Sequence, residues 1–278
     1  MKKALNAWSV PSEVPFDAMF ASLAKAGFEG VELNVDRAGA SAHALSLAST
    51  AADYAAIRAS AERAGLALPT ISTSLYANQL GSDDAAEIDG ALRVLRKQLE
   101  AAQALGAEVV LVVPGGMTAQ RSFAKAHRNV RTTLREIASE IEGSGVRVGL
   151  ENVWNSFFGS PDDMARLIDD LGSPAIGAYF DVGNVAIFSS PEDWIEVLGK
   201  RIMAIHVKDF ARAGGYGGSW ANLLEGTIRW ERVVQALQAA GFDGYLTAEL
   251  PAMPNTPDFL YSITSQALDI IIAYGGAK

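Results

Sequence analysis

The chain has 278 residues, of which 49% are hydrophobic and 20% charged, so it can bury the core of one large α/β domain or of two ordinary ones. Its formal charge of −9, with 32 acidic and 23 basic residues and no basic stripe, argues against a nucleic-acid partner. The absence of cysteine excludes disulfides, zinc fingers, iron–sulfur clusters and thiol catalysis.

The start of the chain and its longest apolar runs bear on location. Asn6, Pro11 and Glu13 interrupt the stretch where a secretory signal would need a sustained apolar segment. No apolar run is long enough to cross a bilayer. We therefore expect a cytoplasmic protein with no membrane partner, and the composition leaves the formation of a homo-oligomer open.

The first half of the chain alternates between predicted strands and predicted helices. Strands are expected over residues 3–8, 30–34, 66–72 and 109–113, each of which is a short apolar run. Helices are expected over residues 16–26, 50–64, 83–104 and 124–141. The first three helices are followed by Gly27, Gly65 and Gly106, and glycine is the usual residue just past a helix end.

In the second half, four apolar runs each end in a side chain that can bind a metal. The runs over 146–150, 175–180, 202–205 and 245–248 lead into Glu151, Asp181, His206 and Glu249. The intervals of 30, 25 and 43 residues are about the length of one strand–helix unit. Helices are expected after Ser160 and Ser190, each of which precedes a proline, and over residues 229–240 and 258–273.

Residues 208–224 form the longest segment without a predicted helix or strand. The segment is rich in glycine and contains Tyr216 and Trp220. Loops of this length inside a domain are usually either functional or disordered. We therefore interpret it as an irregular loop with a candidate functional role.

Eight strand–helix alternations without a domain-sized linker predict an α/β fold, a (β/α)₈ TIM barrel that forms a single domain over residues 1–278. In such barrels the active residues lie at the carboxyl ends of the strands. A doubly wound sheet is the alternative, but no Gly-x-Gly-x-x-Gly pattern follows the first strand.

The polar strand ends have both structural and chemical interpretations. Taken singly, Glu151 could cap a helix, Asp181 could organise a turn, and His206 could be a hydrogen-bonded core residue. A buried carboxylate is costly unless a cation or several donors compensate it, and Glu, Asp and His are ligands of divalent metals. His43 and His127 lie in Ala-rich sequence typical of a surface helix, so His206 is the candidate ligand among the histidines.

Four segments match one protein family in order. GLEN at 149–152, YFDVGN at 179–184, IHVKD at 205–209 and TAEL at 247–250 resemble the sugar phosphate isomerase/epimerase superfamily, the xylose-isomerase-like barrels that include ketose 3-epimerases. The resemblance implies one divalent metal ion, with Mn²⁺ favoured over Mg²⁺, Co²⁺ or Zn²⁺, bound by Glu151, Asp181, His206 and Glu249. It also implies that Glu151 and Glu249 are the catalytic acid/base pair.

The chemistry of such a site is consistent with the resemblance. A metal that holds a carbonyl oxygen and a neighbouring hydroxyl stabilises the enediolate formed when the α-proton leaves. Two carboxylates on opposite sides of that carbon can remove a proton from one face and return it to the other. The expected partner is therefore a small-molecule sugar or sugar phosphate.

Seven further residues are predicted to contact the substrate: Trp8, Glu32, Trp154, Phe157, Asn184, Lys208 and Arg212. Arg212 matches a substrate-contacting Arg of the family, whereas Phe157 and Asn184 replace a Glu and a His of the free-ketose epimerases. Trp154 and Phe157 would make the pocket apolar, and the alternative is that they pack the loop. Lys208 could hold a phosphate or an oxyanion, or it could be a solvated surface residue.

The same enolate permits several reactions. Reprotonation gives an epimer, proton transfer to the adjacent carbon gives an isomer, and loss of a β-substituent gives dehydration or glycoside cleavage. We predict a metal-dependent epimerase or isomerase of the ketose 3-epimerase type, with a lyase or dehydratase acting on a keto-sugar or 3-oxo-glycoside as the alternative. A metal-free sugar-binding barrel, a structural protein and an apurinic endonuclease-like hydrolase are further alternatives, and the low histidine content and acidic charge argue against the last.

Overall fold

The computed structural model describes residues 1–155 and 157–276, and its centre is a closed barrel of eight parallel strands. The barrel strands are β1 (Lys2–Asn6), β2 (Gly30–Asn34), β3 (Thr70–Ser72), β4 (Val109–Val112), β5 (Arg147–Glu151), β6 (Ile176–Asp181), β7 (Ile202–Val207) and β10 (Tyr245–Ala248). They lie side by side in chain order, and β1 closes the barrel by pairing with β10. A separate antiparallel hairpin, formed by β8 (Asp209–Arg212) and β9 (Gly218–Ala221), follows β7.

Helices connect the barrel strands and surround them. They are α1 (Phe16–Lys25), α2 (Ala51–Ala64), α3 (Ala85–Leu105), α4 (Phe123–Glu136), α5 (Ala138–Ser144), α6 (Pro161–Leu171), α7 (Val182–Ala186), α8 (Pro191–Leu198), α9 (Trp230–Ala239) and α10 (Pro257–Ala273). Local sequence explains several of their starts: Thr50 and Asp53 form a capping box at α2, and Ser160 caps α6, whose first residue is Pro161. The architecture confirms the predicted TIM barrel.

The barrel strands are buried on both faces, as expected when helices cover a parallel sheet. Leu5, Val31, Ile71, Val110 and Val148, from five successive strands, have no exposed surface. This burial explains why the strands could be recognised in the sequence as short apolar runs rather than as alternating patterns.

Two predicted strands are shorter than expected. The first ends at Asn6 because the Asn6 side chain accepts a hydrogen bond from the Trp8 backbone N–H (2.8 Å) and starts a single 3₁₀ turn over Ala7–Ser9. The third contains only residues 70–72, because Pro69 has no N–H to donate to the ladder. Ala67 makes only an isolated bridge with Gly30.

The single helix predicted over residues 124–141 is wrong. The structure has two helices there, α4 and α5, which meet at Ile137 with φ −107° and ψ 5°. Ile137 and Ile141 are both buried. No glycine or proline lies at the break, so helical periodicity alone did not reveal it.

The irregular loop predicted over residues 208–224 is also wrong, since most of it is the β8–β9 hairpin. Its register pairs Asp209 with Ala221 and Arg212 with Gly218. The Phe210 and Trp220 rings pack edge to face across the two strands, with centroids 5.3 Å apart. Cross-strand aromatic contacts of this kind stabilise a hairpin that glycine-rich composition had obscured.

All eight barrel strands point the same way, so their carboxyl ends surround one mouth of the barrel. At β5 the absence of a side chain on Gly149 makes room for Tyr179 of β6, because a Cβ there would lie 2.8 Å from the Tyr179 Cβ. Within the part of the chain that is described, no helix has the length and apolar character needed to span a membrane.

Candidate metal centre and active site

Four strands bring the predicted ligands to the barrel mouth. Glu151 and Asp181 are the last residues of β5 and β6, His206 lies in β7 beside Asp181, and Glu249 directly follows β10. One ligand atom from each residue lies within 4.8 Å of the others. Parallel pairing explains this convergence, because residues far apart in sequence occupy equivalent positions on neighbouring strands.

His206 presents one nitrogen to the three carboxylates. Its Nδ1 is 3.2 Å from Glu151 Oε1, 3.9 Å from Asp181 Oδ2 and 3.8 Å from Glu249 Oε2. Three carboxylates and one imidazole nitrogen are a donor set that suits a divalent cation. The residues therefore fit the metal ion that the motifs imply.

Lys208 lies against the same carboxylates. Its ammonium group is 2.8 Å from Asp181 Oδ2 and forms a second ion pair with Glu249, and its side chain is only 15% exposed. Burial lowers the pKa of Lys208, but Asp181, Glu249 and Glu151 raise it more, so the group is a cation at any ordinary pH. Lys208 thus neutralises part of the negative charge of the cluster.

The pKa values of Glu151 and Glu249, the two glutamates of the cluster, are shifted in opposite directions. Burial, reinforced by the charges of Glu249 and Asp181, raises the pKa of Glu151 to about 7, against the opposing effect of His206. Burial also raises the pKa of Glu249, but the His206 and Lys208 cations outweigh it and leave the pKa below its ordinary value. In the site without a cation, these surroundings favour the protonated form of Glu151 and the ionised form of Glu249.

The turn after β6 is held by amide side chains. Asp181 Oδ1 accepts a hydrogen bond from the Asn184 backbone N–H at 2.8 Å, which starts α7. The side chain of Asn152 bonds both the N–H and the C=O of Asp181, each at 2.8 Å. The Asn184 side chain in turn donates to the Asn152 carbonyl at 3.1 Å. These contacts fix the backbone from which Asp181 reaches the cluster.

A cavity of about 300 Å³ opens beside the cluster. Its lining combines Glu249 of the cluster and its partner Lys208 with the indole rings of Trp8, Trp154 and Trp220 and a few smaller neighbours. Trp154 is 69% exposed and Trp220 42% exposed, so both rings have free faces. The cavity therefore has Glu249 and Lys208 on one side and an aromatic rim on the other.

The structure brings only part of the predicted substrate-contact set to this cavity. Trp8, Trp154 and Lys208 line it. Asn184 is buried in the turn after β6 rather than among the lining residues. Arg212 lies at the exposed end of β8, where its guanidinium donates to the Ile187 carbonyl at 3.3 Å.

Phe157 and Glu32 are placed away from the cavity wall. Phe157 is 1% exposed, stacks on His127 with ring centroids 4.1 Å apart, and meets Phe158 edge to face, so it packs the loop as the alternative interpretation had it. Glu32 has no exposed surface and lies behind His206, 2.6 Å from its Nε2 atom. Substrate cannot reach either side chain in this conformation.

Sequence reasoning missed several residues that shape the site. Tyr179 donates its hydroxyl to Glu32, and its position two residues before Asp181 on one strand was a signal that both face the same side. Trp220 lines the cavity from the hairpin.

His43, expected on a surface helix, is instead buried and bonded to the Val14 and Ala7 carbonyls.

Fold and site together define a TIM-barrel protein whose carboxyl-terminal mouth can hold one divalent cation. The family model described as xylose isomerase-like TIM barrel matches residues 20–268, and the chain belongs to this family. The family resemblance drawn from the four sequence motifs is thereby confirmed.

Comparison with individual proteins gives more distant likenesses. An uncharacterized protein of Methanocaldococcus jannaschii is 30% identical over 164 residues, which are 56% of this chain and about half (55%) of the length of that relative. L-ribulose-5-phosphate 3-epimerase UlaE of Salmonella typhi is 28% identical over 81% of both chains. The crystal structure of a D-tagatose 3-epimerase-like protein superposes with a TM-score of 0.80 over the whole of both chains at 21% identity, a likeness of fold.

Proposed function

We propose that this protein is a divalent-metal-dependent epimerase or isomerase that acts on a sugar by removing a proton next to a carbonyl group. The observation that carries the proposal is the cluster of Glu151, Asp181, His206 and Glu249, which borders an open cavity through Glu249. The 3-epimerase activity in the name of its UlaE relative supports epimerisation rather than the alternative elimination reaction.

Two residues of the cluster transfer the proton in the proposed reaction. When bound, a divalent cation polarises a carbonyl oxygen and lowers the energy of negative charge on it. Glu249, whose pKa is low and whose side chain is 20% exposed to the cavity, takes the proton. Glu151 returns a proton from the other side. Its raised pKa belongs to the metal-free protein, in which it carries the proton that a bound cation displaces. Mn²⁺ is the ion we propose first, and Mg²⁺, Co²⁺ and Zn²⁺ are the alternatives.

Two measurements test the proposed reaction. Metal analysis of the purified protein should find about one divalent ion per chain, and a chelator should abolish activity. In deuterium oxide the protein should catalyse exchange of the α-proton of ketoses or keto-sugars. Full activity of metal-free protein would contradict the metal requirement, and failure of every such compound to exchange would contradict the reaction class.

We also propose a substrate class: a sugar that carries an added ring or apolar substituent rather than a phosphate. The aromatic rim formed by Trp8, Trp154 and Trp220 supports this choice, because aromatic faces stack on the apolar faces of rings. The two cationic residues predicted to contact the substrate are not placed to bind a phosphate in the cavity. Lys208 is paired with Asp181 and Glu249, and Arg212 is outside the cavity lining.

The substrate class is tested by comparing free ketoses and ketose phosphates with ketoses that carry an added ring. The Trp154→Ala variant should raise the KM for the ring-bearing substrate about fivefold, since an aromatic contact contributes roughly 1 kcal/mol. Tyr216→Ala is the matched control, because Tyr216 is an aromatic residue of the neighbouring hairpin, 80% exposed and outside the cavity lining. Preference for a phosphorylated sugar, with a KM that rises with salt, would contradict this class.

Three statements from the sequence stay predictions: a cytoplasmic location, a single domain over residues 1–278, and the possible formation of a homo-oligomer. Apart from the cation, the sugar is the only partner that the proposed chemistry requires.

A further inference from the structure

The two ring nitrogens of His206 have different surroundings. Nδ1 faces the three candidate ligand carboxylates, whereas Nε2, at the opposite edge of the ring, lies 2.6 Å from Glu32 Oε1. Neither His206 nor Glu32 has any exposed side-chain surface. Water therefore cannot replace either partner, and the position of the ring protons depends on Glu32.

Glu32 is surrounded by donors. Besides His206, it accepts hydrogen bonds from Asn6 Nδ2 at 2.5 Å, from Thr70 Oγ1 at 2.6 Å and from the Tyr179 hydroxyl. An ionised carboxylate has about four such acceptor positions and no proton to donate. The surroundings thus suit the anion, and the proton between Glu32 and His206 belongs to Nε2.

The orientation of the Asn6 amide is fixed independently. Its Oδ1 atom accepts hydrogen bonds from the Trp8 backbone N–H at 2.8 Å and from Asn34 Nδ2 at 3.2 Å. The other end of the amide, the NH₂ group, must therefore face Glu32. Because an amide NH₂ can only donate, the Glu32 oxygen that it shares with His206 is an acceptor toward both.

The arrangement also holds the plane of the imidazole ring. The ring centroids of Tyr179 and His206 are 4.6 Å apart, and the two ring planes are tilted by 59°. The Tyr179 hydroxyl donates a hydrogen bond to the second Glu32 oxygen, Oε2. Strands β1, β2, β3 and β6 thus converge on one histidine of β7 through Asn6, Glu32, Thr70 and Tyr179.

We propose that Glu32 is a positioning residue, which keeps a proton on His206 Nε2 and turns the Nδ1 lone pair toward Glu151, Asp181 and Glu249. The inference rests on the proposed function, because Nδ1 matters as a metal ligand. Histidine ligands commonly donate their second N–H to a carboxylate, and loss of that partner typically weakens metal binding by about 10- to 100-fold.

The first test measures the Kd for Mn²⁺ by titration calorimetry of the wild-type protein and two variants. Glu32→Gln, which keeps the size but removes the charge, should weaken Mn²⁺ binding about 10- to 100-fold. Tyr179→Phe should weaken it by less. Tyr76→Phe is the matched control, since Tyr76 is a fully buried tyrosine whose hydroxyl donates to Gln98 (2.5 Å) and makes no hydrogen bond with the cluster; its Kd should equal that of the wild type.

The second test does not need metal. Nitrogen–proton NMR of the metal-free wild-type protein should detect a slowly exchanging proton on His206 Nε2, and Glu32→Gln should speed its exchange with water. A His206 ring without a proton on Nε2, or a folded Glu32→Gln protein whose Kd is within twofold of the wild type, would overturn the positioning role. If Glu32→Gln does not fold, the Kd of Tyr179→Phe for Mn²⁺ and the Nε2 proton signal of the wild-type protein decide the role of Glu32. Wild-type protein that binds no divalent ion would contradict the proposed function, and the Nε2 proton would still decide the role of Glu32.

Discussion

Glu151 and Glu249 are chemically the same residue in different electrostatic surroundings. Glu249 is 20% exposed and is paired with Lys208, whereas Glu151 is 7% exposed and has no cation partner besides His206. Solvent access and a neighbouring ammonium favour the ionised form, and burial among like charges disfavours it. This difference supports Glu249 as the base of the proposed reaction, and it leaves Glu151 protonated until a cation binds.

The assignment predicts the effect of Glu249→Gln, which keeps the size and one oxygen but cannot accept the proton. Exchange of the substrate α-proton should fall by about 10²-fold or more. Glu151→Gln is the matched variant for the opposite face and should block return of the proton to that face. Near-normal exchange in a folded, metal-loaded Glu249→Gln protein would assign the base to another residue.

A second prediction concerns the pH dependence of metal binding. The pKa of Glu151 is raised to about 7, and that of His206 is raised by the Glu32 and Glu249 carboxylates, which together outweigh the opposing effect of burial. Both groups must lose a proton before they bind a cation, so affinity should rise with pH and fall as pH drops through 7. We expect the Kd for Mn²⁺ to increase about tenfold or more per pH unit below pH 7.

Calorimetry in two buffers of different ionisation enthalpy measures the protons released per bound ion. Release of about one proton or more at pH 6.5 is the expected result. A Kd that stays constant between pH 6 and pH 8 would show that neither residue changes its protonation when the ion binds.

At the scale of elements, the β8–β9 hairpin carries Trp220 to the rim of the cavity, and Asp209 anchors it. The buried Asp209 carboxylate accepts hydrogen bonds from the backbone N–H groups of Phe210 (2.8 Å) and Leu224 (3.0 Å) and from the indole N–H of Trp230 (2.8 Å). The segment after the hairpin is therefore tied to its first residue. Gly226 packs directly on this carboxylate, so that a Cβ there would overlap Asp209.

Gly226→Ala should displace Asp209 and loosen the hairpin. Overpacking of this kind typically costs about 1–3 kcal/mol, which urea unfolding would measure. The KM for a ring-bearing substrate should rise as Trp220 shifts. Gly214→Ala is the matched control: it lies in the turn of the same hairpin, and its added Cβ meets no atom within 4 Å, so unfolding should change by less than about 0.5 kcal/mol. Equal stability of the two variants would contradict the anchoring role of Asp209.

For the whole molecule, the candidate ligands come from strands β5, β6 and β7 and from the segment after β10. A cation that binds them joins parts of the chain nearly 100 residues apart, and it binds only when the barrel is closed. Binding to the folded state alone raises the free energy of unfolding by mass action. The barrel and the metal should therefore stabilise each other.

Mn²⁺ at 100 times its Kd should add about 2.7 kcal/mol to the free energy of unfolding. For a domain of this size the Tm should rise by roughly 5–10 °C, which differential scanning calorimetry would detect. Asp181→Asn is a matched control, because it can keep the hydrogen bond to the Asn184 backbone N–H while losing the charge; its Tm should respond much less. An identical wild-type Tm with Mn²⁺ and with chelator would contradict metal binding to the folded protein.

The sequence by itself determined what depends on neighbouring residues along the chain. Apolar runs placed the barrel strands, capping residues such as Ser160 placed helix starts, and the alternation of the two predicted the barrel. The polar residues at the strand ends could then be predicted to lie together, because in a parallel barrel the carboxyl ends of all strands surround the same mouth. For that reason Glu151, Asp181, His206 and Glu249 could be grouped before any coordinates were known, and the structure does bring them together.

Only the tertiary structure decided which way side chains face and what they contact across the barrel. Glu32 and Phe157 were both assigned to the substrate, yet Glu32 bonds His206 from 174 residues away and Phe157 stacks on His127. The hairpin around Trp220 and the break at Ile137 were likewise not marked locally. The physical reason is that burial, hydrogen-bond partners and pKa shifts are set by atoms close in space, and most of those atoms belong to residues distant in sequence.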